Sequence, residues 1–369
     1  MLSYCTNVHP AEDLDGVLRQ LDAYAVPVRE SLGHDRLGLG LWLAAPVAAA
    51  LAEDGTARRR LRAELDARGL AVRTMNAFPY GGFHDEVVKH AVYHPKWTDA
   101  SRLRYTADCV AVLRDLLPDD AAFGSISTLP LAWRTPWSRA DDEAATAAFT
   151  ALTGVLGGER PVKLAVEPEP GCVLDTVADA VGWLAGRVDP EHIGLCLDTC
   201  HLAVSFADPA ETVASIYRAG LRVMKVQVSA ALHVADPGSA GARAALAEFV
   251  EPRYLHQTRE LSPSGAVLAA DDLPEALDRL PAEGPWRVHF HVPLHTRPFA
   301  PLSSTTDVIE RSVEALGREI GDPAEFPHLE VETYTWHVLP EAHRQDLAGG
   351  IADELRWAHR TLLAERAPA

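Results

Sequence analysis

A regular alternation of two kinds of segment restricts this chain to few architectures. Short runs rich in branched and aromatic apolar residues recur at 2–7, 37–43, 72–78, 123–129, 162–167, 193–198, 223–228 and 329–333. Amphipathic Ala/Leu/Arg-rich stretches fall between them, at about 11–23, 56–69, 99–117, 140–156, 174–187, 209–219, 304–319 and 341–365. The first kind has the length and composition of buried strands, the second the periodicity of helices. Strand and helix in alternation imply parallel strands joined by right-handed crossovers. Eight such units fit a single α/β domain over 1–369, a (β/α)8 TIM barrel. Within it, about 229–303 forms an elaborated loop region with a helical piece near 241–261, and about 341–365 a C-terminal helix. A doubly wound open sheet is the alternative, but no Gly-rich phosphate loop follows the first strand.

Composition narrows the partners. The net charge is −18, from 34 basic and 52 acidic residues, and there is no basic run. A nucleic-acid backbone or an acidic membrane surface needs a basic footprint, so a small-molecule metabolite is the expected partner. The chain is also compatible with assembly into a homo-oligomer. No apolar stretch reaches membrane-spanning length, and MLSYCTNVHP lacks the basic and apolar regions of a signal peptide. Cys5, Cys109, Cys172, Cys196 and Cys200 form an odd, scattered set, as expected of a reduced cytoplasmic protein. Cys196 and Cys200 lack CxxC spacing and are assigned to packing.

Two long loops follow strands three and seven. The first, 79–97, is rich in His and aromatics; the second contains WRVHFHVPLHTRPF at 286–299. In a barrel both lie on the catalytic face. The strand ends on that face carry polar residues. Strand five ends LAVEPEPG, with Glu167 and Glu169; strand six ends LDTCH, with Asp198 and His201. Strand seven offers Gln227, strand eight Glu332, and the second loop His289 and His291. Residues two apart on an extended segment share a face, so His289 and His291 can enter one cavity. Unpaired carboxylates converging on one mouth repel each other, and a divalent cation resolves the conflict. Carboxylate with imidazole suits Mn, Zn, Co or Fe, and oxygen ligands suit Mg, with one ion or more. Each residue also has an ordinary role to weigh. Asp198 could cap a helix, Glu167 and Glu332 could form buried salt bridges, and His201 could orient a ligand by a hydrogen bond. Gln227 could be a packed amide, His289 and His291 part of a surface hairpin, and Glu169 a loop cap.

VEPEPG, LDTCH and EVETY, in this order, resemble the xylose isomerase-like superfamily of metal-dependent barrels. That superfamily includes ketose epimerases, sugar isomerases and endonuclease IV-type phosphodiesterases. The resemblance implies metal-binding roles for Glu167, Asp198, His201 and Glu332. Gln227 stands where the family usually has His, and His289-x-His291 is similar to a pair in the phosphodiesterase branch. LSYCTNVHPAE, NAFPYGGFHDEVVKHAVYHPKW, HFHVPLH and LEVETYTW further resemble the EboE metabolite-traffic family, which implies handling of a secondary-metabolite precursor.

The resulting expectation is an enzyme that isomerises or epimerises a small polyhydroxylated or hydroxy-carbonyl metabolite. Glu167 and Glu332 would serve as catalytic groups, and Glu167, Asp198, His201, Gln227, His289, His291 and Glu332 as metal ligands. Metal-assisted phosphoester hydrolysis and a non-catalytic metabolite-binding barrel are the alternatives. His9 and Asn76 at strand mouths, His84 and His94 in the third loop, Arg297, Tyr334 and Trp336 are candidate substrate contacts. Arg297 could clamp an anion, and Tyr334 and Trp336 could stack on a ring or pack against the last helix. Lys163, Lys225 and Glu330 share parity with the ligand strands and are expected to form an ionic layer beneath the metal.

Overall fold

Four of the strand segments are buried along their whole length: Leu37–Trp42, Gly124–Thr128, Ile193–Asp198 and Val223–Val228. Strands in that position face a filled interior on one side and a helical layer on the other. A computed structural model describes residues 2–296 and 300–363. It closes eight parallel strands into a ring. They are β1 Leu2–Cys5, β2 Leu37–Trp42, β3 Leu70–Asn76, β4 Gly124–Thr128, β5 Val162–Val166, β6 Ile193–Asp198, β7 Val223–Val228 and β8 His328–Val331. Each pairs with its sequence neighbour, and β1 pairs with β8 through Tyr4 beside Val331. The closed ring excludes the open-sheet alternative. Asp198 lies beside Gln227, and Gln227 beside Glu330, so register places the strand ends at one level.

The helical layer departs from expectation in two places. The first helix does not stop near 23. It passes through a π turn, Leu21–Ala25, and continues as Val26–Leu32, ending at Gly33 with φ 67°. Pro27 is tolerated because it opens this second segment just past the wider turn. Gly33 takes a left-handed conformation that a side chain would strain. After β2 there is also a helix, Ala45–Glu53, that the periodicity did not suggest. Asp54 ends it and caps Gly55–Ala67 by accepting from Thr56 and Ala57 N–H.

The region after β7 is built rather than looped. A second, antiparallel sheet orders Val267–Ala270, Thr258–Leu261, Trp286–Val288, Leu232–Val234 and Leu302–Ser304 side by side. The expected helix near 241–261 is confined to Ala240–Ala247. Thr258–Leu261 is a strand because its polar residue faces inward to fixed donors. Buried Glu260 accepts from the Trp286 indole at 2.9 Å and from Ala282 and Glu283 N–H at 2.9 and 2.8 Å.

Beneath the mouth formed by the C-terminal strand ends, Lys225 Nζ lies 2.8 Å from Glu330 Oε1, both side chains fully buried. Lys225 also donates to the Met75 carbonyl and the Ser127 hydroxyl. Gly40 makes room for the pair: a Cβ there would lie 1.1 Å from Glu330 Oε2. The expected three-membered layer is therefore a pair. Lys163 pairs in register with Ser125 near the opposite opening, where its ammonium sits 4.5 Å over the Phe123 ring.

Candidate metal centre

Asp198 ends β6 and also caps the short helix Thr199–Val204. Its two oxygens divide the tasks. Oδ1 accepts from His201 N–H at 2.9 Å and from the Ser229 hydroxyl at 2.8 Å. Oδ2 is buried without a hydrogen-bond partner and lies 4.0 Å from His291 Nε2. Capping and ligation are therefore compatible in one carboxylate.

Ligand oxygens of Glu167, Asp198 and Glu332 lie within 4.8 Å of one another. Glu332 Oε1 is oriented by the amides of Asn7 and Asn76, at 2.8 and 2.9 Å. Glu167 Oε2 has no partner. His291 Nδ1–H donates to the Glu332 carbonyl at 2.7 Å, which leaves the Nε2 lone pair unpartnered. Gln227 is fully buried, and neither amide atom has a partner. Buried polar atoms are normally satisfied. Here Glu167 Oε2, Asp198 Oδ2, Gln227 Oε1 and His291 Nε2 are four unpaired acceptors on adjoining strand ends and the loop above them. That donor set, three carboxylates with an imidazole and an amide oxygen, fits a divalent cation.

The electrostatics agree. Burial, then Glu332 and Asp198, push the Glu167 carboxyl well above its ordinary range. Burial, then Asp198 and Glu330, push Glu332 up to about 8. Lys225 offsets these shifts only in part. Burial, partly offset by Asp198, lowers His291 to about 4, so the imidazole is neutral at pH 7.

A second cluster adjoins the first. Ligand atoms of Glu169, His201 and His289 also lie within 4.8 Å. His201 Nδ1 donates to the Pro168 carbonyl at 2.8 Å, and His289 Nδ1 to Gln257 Oε1 at 2.7 Å. Their Nε2 atoms face each other at 3.0 Å. With both Nδ1–H groups committed, the two Nε2 atoms can share one proton or meet a cation. Glu169 accepts from Tyr93 Oη at 2.7 Å and Gln257 Nε2 at 3.1 Å. Cys200 Sγ lies within 4.8 Å of His289 and His291, but burial raises its thiol well above the ordinary range, which keeps it protonated.

The remaining candidates separate. Asn76 and Tyr334 line the cavity, together with Glu167, Glu169, His201, His289, His291 and Glu332. His9 does not reach it; it is buried, stacked on Tyr24 at 4.8 Å and bonded to Tyr4 Oη. His84 stands behind the wall, bonding the Asn7 carbonyl at 2.7 Å. His94 is exposed. Trp336 packs on the C-terminal helix, its indole donating to Glu354 at 3.1 Å. Arg297 lies outside the described residues. Sequence reasoning passed over Asn7, Tyr93, Tyr254 and Gln257. Asn7 follows β1 at a strand mouth, the same signal that marked Asn76. Tyr254 and Gln257 were hidden by the helical reading of 241–261. All five cysteines are free and buried. Among the described residues, no helix is long and apolar enough to cross a membrane.

The solved structures similar to this one share its fold. A xylose isomerase-like TIM barrel protein from Mycobacterium smegmatis, in complex with magnesium, is 14% identical with a TM-score of 0.55, covering 99% of this chain and 97% of its own. A D-allulose 3-epimerase from Methylomonas sp., in complex with D-allulose, is 11% identical with a TM-score of 0.53, over 98% and 96%. The 3-keto-D-glucoside 4-epimerase of E. coli is 14% identical with a TM-score of 0.50, over 97% and 98%. No curated protein matches the chain by sequence. The family model of the xylose isomerase-like TIM barrel matches residues 37–285, and the chain belongs to that family.

Proposed function

We propose that this protein is a metal-dependent epimerase or isomerase of a small polyhydroxylated or hydroxy-carbonyl metabolite. The observation that carries the reading is the set of buried, unpartnered acceptors on Glu167, Asp198, Gln227 and His291 beside Glu332. A divalent cation held by them would supply Lewis-acid stabilisation of the negative charge that develops on two neighbouring substrate oxygens. Glu167 follows β5 and Glu332 follows β8, and their ligand oxygens lie within 4.8 Å of one another. One carboxylate takes the proton from the substrate carbon and the other returns it. Asn7 and Asn76 hold Glu332 in place through its Oε1. The epimerases among the similar structures support this class of reaction. The EboE-like segments support a secondary-metabolite precursor as substrate.

The second cluster favours one competing reading. If Glu169, His201 and His289 hold a further ion, the site has the multiple cations that metal-assisted hydrolysis of a phosphoester uses. A barrel that binds its metabolite without turnover is the third reading. Metal content per chain, measured by plasma mass spectrometry on protein purified without chelator, separates them. One equivalent, lost in Asp198→Asn and Glu332→Gln, with solvent deuterium entering the substrate carbon, is the expected result. Two or more equivalents point to hydrolysis, and no uptake of any divalent ion refutes the metal reading.

A further inference from the structure

The cavity above these ligands holds about 540 Å3, including its open mouth. It is polar at the floor and apolar at the walls. Phe78, Phe83, Val88, Val92, Tyr254 and Tyr334 surround the space above the carboxylates. Three of these rings close on one another, Phe83 with Tyr254 at 5.2 Å, Tyr254 with Tyr334 at 4.9 Å and Phe83 with Tyr334 at 5.6 Å. Tyr334 reaches down to His291 at 4.7 Å. Two of the three tyrosine hydroxyls near the walls are committed to the protein. Tyr254 donates to the Phe83 carbonyl at 3.1 Å, and Tyr93 to Glu169 at 2.7 Å. The walls therefore offer ring faces and aliphatic edges, and few groups for the outer hydroxyls of a sugar.

Charge excludes a second class of ligand. Lys89 is the one cationic side chain lining the cavity among the described residues. Its ammonium is already held, 2.6 Å from Asp272 and 2.7 Å from the Tyr254 carbonyl. Glu167, Glu169 and Glu332 also line the space. A phosphate dianion on the floor would meet these carboxylates, and the cation that lines the space is already held. The walls are also fixed in place. Val88 and Lys89 N–H both donate to the Arg253 carbonyl, at 2.8 and 2.9 Å, which fastens the third loop to the inserted sheet.

We infer that the substrate is an uncharged hydroxy-carbonyl compound carrying an aryl or alicyclic apolar group, and is neither a sugar phosphate nor a fully hydroxylated open sugar. Its oxygenated end would meet the metal ligands while its apolar end fills the aromatic mouth. This inference rests on the metal-dependent reading above. Removal of a phenyl-sized group from water is worth roughly 10- to 100-fold in affinity.

Three hydroxamates test it, because each presents the same pair of chelating oxygens and differs only in its tail. Calorimetry on the Mn2+-loaded protein would compare acetohydroxamate, phenylacetohydroxamate and phosphoglycolohydroxamate. Phenylacetohydroxamate is expected to bind at least about tenfold tighter than acetohydroxamate, and phosphoglycolohydroxamate no tighter. Phe83→Ala should remove most of the aryl gain. Equal affinities, or a preference for the phosphorylated probe, overturn the inference and leave the metal centre standing. Failure of all three to bind protein that has taken up Mn2+ overturns the metal-dependent reading and the inference with it.

Discussion

Replacing Glu330 by Gln removes one half of an ion pair from which water is fully excluded. The separation is 2.8 Å and neither side chain is exposed. At an effective dielectric of about 20 that geometry carries about 6 kcal/mol of attraction. Burial alone would lower the proton affinity of Lys225, but Glu330 beside it reverses the effect and holds the ammonium charged. Glu330→Gln therefore strands a buried cation with only the Met75 carbonyl and the Ser127 hydroxyl for company. Stranding one member of a buried pair costs about 3–5 kcal/mol. Unfolding entropy of about 2.1 cal/mol/K per residue, over 369 residues, converts that cost to a Tm lower by about 4–6 °C. Differential scanning fluorimetry on chelator-treated protein reads it without interference from bound ions. Lys225→Met/Glu330→Leu, which removes both charges, should lose less than Glu330→Gln alone. A single variant within about 1 °C of the parent, or a double variant losing as much as the sum of the two singles, would refute the reasoning.

Two further outcomes follow from the site. Glu167 and Glu332 bind protons more tightly in the fold than in the unfolded chain, Glu332 at about 8. Their contribution to stability is thus complete below the ordinary carboxylate range and is lost as pH rises through about 8. Metal-free protein should melt higher at pH 5.5 than at pH 8.5, and Glu167→Gln should flatten that slope; a melting temperature that rises with pH contradicts it. Glu354, on the helix Leu347–Ala358, accepts from Thr333 Oγ1 at 2.6 Å, Leu294 N–H at 3.1 Å and the Trp336 indole at 3.1 Å. It thereby holds the segments that follow Glu332 and His291. Glu354→Ala should weaken Mn2+ binding by about tenfold in an equilibrium titration; unchanged affinity would show that these segments need no such anchor.

The barrel was legible because its signal is repeated. β6 and β7 match the expected segments residue for residue, and the other strands differ only at their ends. Burial on both faces leaves an uninterrupted apolar run, and few other elements of that length look the same. The carboxylates of the site were legible for the opposite reason, as charges at the ends of such runs. The inserted sheet was not, because Leu232–Val234, Trp286–Val288 and Leu302–Ser304 are three residues each, too short for periodicity. Their pairings are non-local, and with them went Tyr254 and Gln257. Parity assigned Lys163 to the ionic layer correctly in face but not in height. Only the register with Ser125 shows that its side chain belongs to the other end of the barrel.

Closure of the barrel through β1 and β8 also fixes an order of events during synthesis. Residues 2–5 find their second neighbour only when 328–331 have been made. At roughly 5–20 residues per second the first strand waits about 15–65 s with one edge open. Glu332 and its anchor Glu354 are made last, after Glu167, Asp198, Gln227 and His291. The carboxylate that Asn7 and Asn76 orient thus reaches its place only with the strand that shuts the ring.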